Sequence, residues 1–404
     1  MGWHRARKPS YCGVSRSACY PPLLREKRSF RCLLVSCLKL SGEMLPSPGQ
    51  FFSDSSATLA PTLPYRRRGR KDFTMNFPLK LLQAFDPETS HTLALKALAL
   101  GLGPKRQHLP QGTTQLLGCN LPTPLGLAGG ADKTGAALQA WADMGLGFVE
   151  VGTITPNARE GNPRPRIWRL GNGEMVNWMG LNSPGVEVVA ANLQRFRQHN
   201  ATFCLGASLA NPSKVKEGLT PSAELLAPWV DFFTFNASCP NVAGHQAHDA
   251  LAPILQEVAE VIAGAAGKAV VVKLGPTDDP EALKATADAL LKVGVAGFIC
   301  CNTIPPDKRH LLHTPIDWPE HDAKPVGGYS GPQLLPISVA MITTLRQHLG
   351  KDVPLIGVGG VQTPADAKSL IWAGANAIQL YAGLTRHGVK LLDDIRSEVA
   401  LMQA

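Results

Sequence analysis

From Leu125 onward, short runs of apolar and β-branched residues alternate with stretches whose apolar positions recur every three or four residues, predicting strands and helices in succession. Eight such runs occur: 124–130 (PLGLAGG), 147–154 (GFVEVGTI), 202–210 (TFCLGASLA), 231–238 (DFFTFNAS), 269–276 (AVVVKLGP), 297–304 (GFICCNTI), 354–361 (PLIGVGGV) and 377–384 (AIQLYAGL). Helical periodicity lies between them, as at 253–265, 280–293 and 364–373, each opening on a proline, which suits a first helical turn where no N–H is needed. Eight parallel strands with crossover helices predict an α/β fold of the (β/α)8 TIM-barrel type, in which the strand C-termini converge on one mouth. An open doubly wound sheet is the competing arrangement, but no GxGxxG follows the first run.

Two further patterns surround this repeat. Residues 166–180 (RIWRLGNGEMVNWMG) place two apolar runs around a GNG turn and predict a β-hairpin over the mouth. Residues 77–85 and 86–102 predict two helices, the second capped by Asp86 with Pro87 and Glu88 in its first turn. Their apolar positions, among them Leu79, Leu82, Phe85, Leu95 and Leu98, exceed what one docking face needs. The expected organisation is therefore a leader over 1–74, a small N-terminal helical extension over 75–110 and the barrel over 111–404.

Charge divides the chain at the same place. The formal charge is +9, but residues 1–74 hold 14 Lys+Arg against 4 Asp+Glu, leaving 26 Lys+Arg against 27 Asp+Glu in the rest. The globular part thus gives no electrostatic reason to expect nucleic acid as a partner. The leader carries an RRRGRK run at 66–71 and no sustained apolar period. It reads either as an import sequence or as upstream sequence ahead of a start at Met75. Its longest apolar run, 32–40, is interrupted by Lys39 and is far below the roughly 20 residues that span a bilayer. Outside the leader, Cys119, Cys204, Cys239, Cys300 and Cys301 show no CxxC or Cys/His spacing, so no metal centre is expected.

Candidate chemistry gathers at the strand ends. The segment 235–241 (FNASCPN) sets the Cys239 thiol between Asn236 and Asn241 just beyond an apolar run. As thiolate, Cys239 can act as base or nucleophile. The carboxamides, each donor and acceptor, match a ring that alternates N–H and C=O, such as a pyrimidine. A structural cysteine in an Asn/Pro turn is the plainer alternative. Lys273 follows an apolar run, so burial would call for an anionic partner; a Schiff-base role keeps a flavin-free lyase or binding protein in view. Lys133, in GGADKTG, suits a carboxylate. Asn177, Asn302 and Thr303 add neutral hydrogen-bonding groups, which in loops also serve as turn formers. Gly359-Gly360 and Tyr381-Ala382-Gly383 end the last two runs, where such barrels bind phosphate.

Together GGADKTG, VGTITP, GNPRPRIWRL, NWMGLNSPG, NASCPN, VVKLGP, CNT, GGYSG, GVGG and YAG, in this order, resemble the dihydroorotate dehydrogenases, flavin enzymes of pyrimidine synthesis, over residues 76–404. The segment FPLKLLQAFDPETSHTLALKAL is similar to the quinone-linked, membrane-associated class, whose N-terminal helices form an apolar access for quinone. The resemblance implies FMN as cofactor, dihydroorotate and orotate as substrate and product, and quinone as acceptor. It implies Cys239 as the base, with Lys133, Asn177, Asn236, Asn241, Asn302 and Thr303 on the substrate. Trp178, Met179, Gly180 and Leu181 continue that contact. FMN would be cradled by Gly129, Gly130, Ala131, Asp132 and Lys133 after the first run, and by Thr153, Ser208, Asn236, Lys273 and Cys301 on the following ones. Gly331, Gly359, Gly360, Tyr381 and Ala382 would complete the cradle. The expected location is peripheral, on the cytoplasmic face of a bacterial inner membrane, or on the mitochondrial inner membrane if 1–74 is a targeting leader.

The chain also departs from that pattern. Cys239 stands where the quinone-linked class has Ser, Ser208 where an Asn is usual, Cys301 where a Thr is common, and Trp178 with Leu181 replace Arg and Phe. A diverged flavin oxidoreductase acting on another cyclic amide or enone is the corresponding alternative.

Overall fold

Residues 84–105, 114–212, 218–237 and 251–403 are described by a computed structural model. The leader, Cys239 and Asn241 lie outside the described residues. So does the helix expected over 77–85, except Ala84 and Phe85, which form a turn.

All eight expected strands form: β3 (Leu125–Leu127), β4 (Phe148–Ile154), β7 (Cys204–Leu209), β8 (Phe232–Asn236), β9 (Ala269–Leu274), β10 (Gly297–Cys300), β14 (Leu355–Val358) and β15 (Ala377–Leu380). Each pairs in parallel with the next, and β15 returns to β3 through Ile378 opposite Leu125, closing the barrel. Apart from β4, which runs to the end of its apolar run at Ile154, the strands stop one to four residues short of the runs because the last residues leave the ladder to shape the mouth.

Inside the barrel, Phe148 and Phe232 meet edge to face at 6.4 Å. Gly126 and Gly206 make room for them, since a Cβ at either would sit within 2.3 Å of a ring carbon. The N-terminal end is plugged by an antiparallel hairpin, β1 (Thr114–Leu116) and β2 (Cys119–Leu121), which inserts Leu116 and Leu121 beneath Phe148, Phe232, Val271 and Ile356. Each such buried aliphatic side chain contributes about 2 kcal/mol.

Helices α1 (Pro87–Ala99), α2 (Leu138–Asp143), α3 (Val186–Arg197), α4 (Leu219–Leu226), α5 (Leu251–Gly264), α6 (Pro280–Lys292), α7 (Leu334–Leu349), α8 (Pro364–Trp372), α9 (Ala382–His387) and α10 (Val389–Gln403) complete the described fold. Their starts follow the capping signals: Asp86 accepts from Thr89 N, Asp279 from Glu281 N and Ala282 N, and Thr363 with Asp366 makes a reciprocal capping box. Helix α1 ends before the expected 102 because Gly101, at φ +76°, turns the chain and lets Leu102 N donate back to Ala97 O.

The covering hairpin consists of β5 (Ile167–Gly171) and β6 (Glu174–Asn177), turned through positive φ at Asn172 and Gly173. A third strand, β13 (Gly328–Ser330), pairs with β6 and places Gly328 opposite Asn177. A small pair, β11 (Glu320–His321) and β12 (Lys324–Pro325), lies in the same excursion between β10 and α7.

Candidate active site

The strand C-termini, the covering hairpin and α1 enclose a cavity of about 450 Å3. Its walls bring together most of the residues singled out in the sequence: Gly129, Gly130 and Lys133 after β3, Thr153 on β4, Ser208 on β7, Asn236 on β8, Lys273 on β9, and Cys301, Asn302 and Thr303 after β10. Gly359 and Gly360 follow β14, Tyr381 and Ala382 follow β15, Gly331 follows β13, and the hairpin segment adds Asn177, Met179 and Leu181. Parallel closure explains the convergence, because every strand delivers its last residues to the same end.

A chain of hydrogen bonds crosses the cavity floor from strand to strand. Asn302 Nδ2 donates to Asn236 Oδ1 at 3.1 Å, Asn236 Nδ2 donates to Thr153 Oγ1 at 2.9 Å, and Thr153 Oγ1 lies 3.2 Å from Ser208 Oγ. The Asn236 carboxamide is thereby fixed in orientation, its oxygen toward β10 and its nitrogen toward β4. Lys133 Nζ donates to Asn182 Oδ1 from the opposite side.

Lys273 is 8% exposed, and among the described residues its ammonium has no hydrogen-bond or ion-pair partner. A buried cation facing a cavity in this way calls for an anionic or carbonyl-bearing occupant. Deeper still, Glu150 is fully buried and accepts from Gln379 Nε2 at 2.8 Å and Thr234 Oγ1 at 3.1 Å. Its Oε1 and the Oε1 of Gln379 lack a partner among the described residues. Cys301 touches Ser338 Oγ at 3.4 Å, and burial pushes its thiol up to about 11, so it is neutral and unsuited to the role of base. Burial likewise pushes the Tyr381 hydroxyl up to about 12.

Four expected contact residues are not on this cavity wall, each for a packing reason. Asp132 is fully buried and accepts from the backbone N–H groups of Thr134, Gly135 and Ala137 and from Trp141 Nε1, pinning the loop that carries Lys133. Ala131 faces α1 instead and lines a second cavity. Trp178 packs instead against His321, ring centroids 4.7 Å apart and ring planes tilted by 45°. Gly180, at φ +68°, packs against Asn162.

That second cavity, about 210 Å3 and almost wholly apolar, lies between α1, the hairpin and the α9–α10 junction. It shares His91, Leu95, Ile167, Met175 and Tyr381 with the first, so the two are contiguous. His91 stands at the junction with its ring 6.3 Å from Tyr381, and burial, reinforced by the charge of Lys133, lowers its pKa. Helix α1 is fastened there by Glu88, which receives Arg166 Nη2 at 2.7 Å and Arg164 Nη2 at 3.0 Å. Burial pushes the Glu88 carboxyl up, but the two guanidinium groups outweigh it and hold it below its ordinary value.

Sequence reasoning did not place His91, Glu150, Asn182 or Gln379 at the site, and read Glu88 only as part of a helix's first turn. The available signals were a histidine among the apolar positions of α1 and a glutamate inside the otherwise apolar run FVEVGTI.

The family model described as "Dihydroorotate dehydrogenase" matches residues 112–402. A "Dihydroorotate dehydrogenase (quinone)" of Bordetella avium is 35% identical over 332 residues, covering 78% of this chain and 93% of that protein. One of the same name from Parvibaculum lavamentivorans is 36% identical over 333 residues, covering 80% and 93%. The ligand-free crystal structure of DHODH from Eimeria tenella superposes with a TM-score of 0.69 at 27% identity, covering 78% of this chain and 94% of that one. The chain belongs to the dihydroorotate dehydrogenase family.

Proposed function

We propose that this protein oxidises dihydroorotate to orotate in pyrimidine biosynthesis, with FMN as resident cofactor and quinone as final electron acceptor. The observation that carries the reading is the pair of adjoining cavities: one over the barrel mouth, ringed by carboxamides and three lysines, and an almost wholly apolar one beneath α1. One suits a charged heterocycle, the other a lipophilic ring.

The residues present fit a flavin. Lys273 offers a buried cation without a partner among the described residues, and the bare Oε1 atoms of Glu150 and Gln379 offer acceptors. After β14 the backbone packs so closely on α7 that a Cβ at Gly360 would lie 2.4 Å from Leu335 N, so only glycine fits in this turn at the cavity wall, where barrels of this type bind phosphate. When bound, the flavin supplies the two-electron acceptor between the carbon acid and quinone.

The protein's own groups do the rest. Lys133 faces the substrate carboxylate, while Asn177, Asn236, Asn302 and Thr303 read the ring's alternating N–H and C=O edge. Asn241 is assigned to the same edge from its motif. Cys239, as thiolate, takes the proton from C5 while hydride leaves C6, so the C5–C6 single bond becomes the double bond of orotate. The covering hairpin excludes water from the exchange.

Large apolar side chains around α1 stay in solvent, Phe85 at 46%, Leu100 at 40% and Leu102 at 56% exposed. They support peripheral docking on a lipid surface, from which quinone reaches the apolar cavity. The location proposed for it is the cytoplasmic face of a bacterial inner membrane; the mitochondrial inner membrane is the alternative if residues 1–74 act as a targeting leader. Co-sedimentation with lipid vesicles that is unchanged in Leu102→Glu would exclude this docking edge. Conversion of dihydroorotate to orotate by flavin-loaded protein with a soluble quinone analogue tests the activity. Flavin-loaded protein that produces no orotate would exclude it.

A further inference from the structure

At the end of the barrel opposite the mouth, three side chains distant in sequence meet. Cys119 of β2, Cys204 at the start of β7 and Asp231 just before β8 place two sulfurs and a carboxylate oxygen within 4.8 Å of one another. Among the described residues this is the one group of three metal-ligating side chains so arranged. Cys204 is buried, whereas Cys119 and Asp231 reach solvent.

The carboxylate is held in place rather than loose. Asp231 Oδ2 accepts from Arg197 Nη2 at 2.5 Å and from Leu205 N at 2.8 Å. Arg197 is itself fixed, donating to Trp229 O at 2.8 Å and to Phe203 O at 2.6 Å. Asp231 Oδ1 has no hydrogen-bond partner among the described residues and is free to act as ligand.

We propose that Cys119, Cys204 and Asp231 form a structural site for a thiophilic divalent cation, Zn2+, which ties the β1–β2 plug to strands β7 and β8. Two thiolates and a carboxylate suit zinc, while calcium and magnesium take oxygen ligands. With zinc–sulfur bonds of about 2.3 Å, tetrahedral geometry sets sulfurs roughly 3.8 Å apart. Donors already within 4.8 Å therefore need to close by about 1 Å or less. A disulfide would need the sulfurs at about 2.05 Å.

Charge also balances. A divalent ion and the Arg197 guanidinium together neutralise two thiolates and one carboxylate, so the partly buried cluster carries no net charge. Solvent reaches Cys119 and Asp231, leaving water to fill the fourth position. The site lies at the end of the barrel that stabilises the fold, away from the chemistry. The widely separated ligands explain why cysteine spacing gave no hint of it.

Cobalt(II) is the probe. Titrating the reduced, flavin-loaded full chain should give, at one equivalent, a thiolate-to-cobalt charge-transfer band and tetrahedral d–d bands in the red, where flavin does not absorb. Zn2+ should displace the cobalt and raise the thermal unfolding midpoint. Cys119→Ser, a substitution near the surface, should weaken cobalt binding by about 100-fold and abolish the zinc-dependent rise, with dihydroorotate oxidation unchanged. Absence of tetrahedral cobalt in the wild-type chain, or bands that persist in Cys119→Ser, would overturn the proposal. So would peptide mapping that finds Cys119 and Cys204 joined as a disulfide in the unreduced protein.

Discussion

Glu88 of α1 and Arg166 beside the covering hairpin form a forked ion pair, with Nη2 2.7 Å from Oε1 and Nε 3.1 Å from Oε2. The pair fastens the helix that roofs the apolar cavity to the hairpin that roofs the polar one. Glu88→Gln leaves Arg166 poorly compensated. Its expected cost is about 2 kcal/mol, between the values for exposed and buried pairs. Turnover with quinone should fall several-fold, while anaerobic flavin reduction by dihydroorotate keeps its rate. Stopped-flow measurement of the two half-reactions checks this, and equal losses in both would contradict the division of roles between the cavities.

Lys273 provides a second test. Replacing it with Met keeps the length of the side chain and removes a buried cation from that wall. Retention of FMN through gel filtration should drop, and in protein reconstituted with excess FMN the reduction rate should fall by about 100-fold. Full retention and an unchanged rate would remove Lys273 from the cofactor site.

Much of the barrel was legible because its strands are covered on both faces and read as plain apolar runs, with Asn236, Lys273 and Asn302 marking where each run reaches the mouth. The plug hairpin was not: β1 and β2 are three residues each, and only Leu116 and Leu121 point inward, too few positions to set a period. Strand β13 was hidden for the same reason, since its pairing with β6 joins residues far apart in the chain. Trp178 and Asp132 were read from motif neighbours that do line the cavity. Packing against His321 takes one away and backbone capping takes the other. Local pattern reports which residues share a face; it does not report which long-range partner claims a side chain.

His91 makes acid a probe of the junction. Burial lowers its pKa from the ordinary 6.5, and Lys133 adds to the effect. The folded chain therefore protonates His91 later than the unfolded chain does. The associated stability is complete above pH 6.5 and is lost as pH falls through the lowered native value. His91→Asn should lose less stability than the wild type between neutral and mildly acidic pH. Thermal midpoints measured across that range check it, and parallel curves would contradict it.

Cys239→Ser should retain the flavin but slow its reduction at neutral pH, because a hydroxyl is the poorer acid and forms less of the active base. The rate should recover as pH rises. Identical rate–pH profiles for the two proteins would take Cys239 out of the proton transfer.

The most direct test of the whole account is anaerobic addition of dihydroorotate to the purified protein while its visible absorption is followed. The account predicts a yellow protein that bleaches on mixing and regains its colour when a quinone is added. A flavin-loaded protein that stays yellow would contradict it.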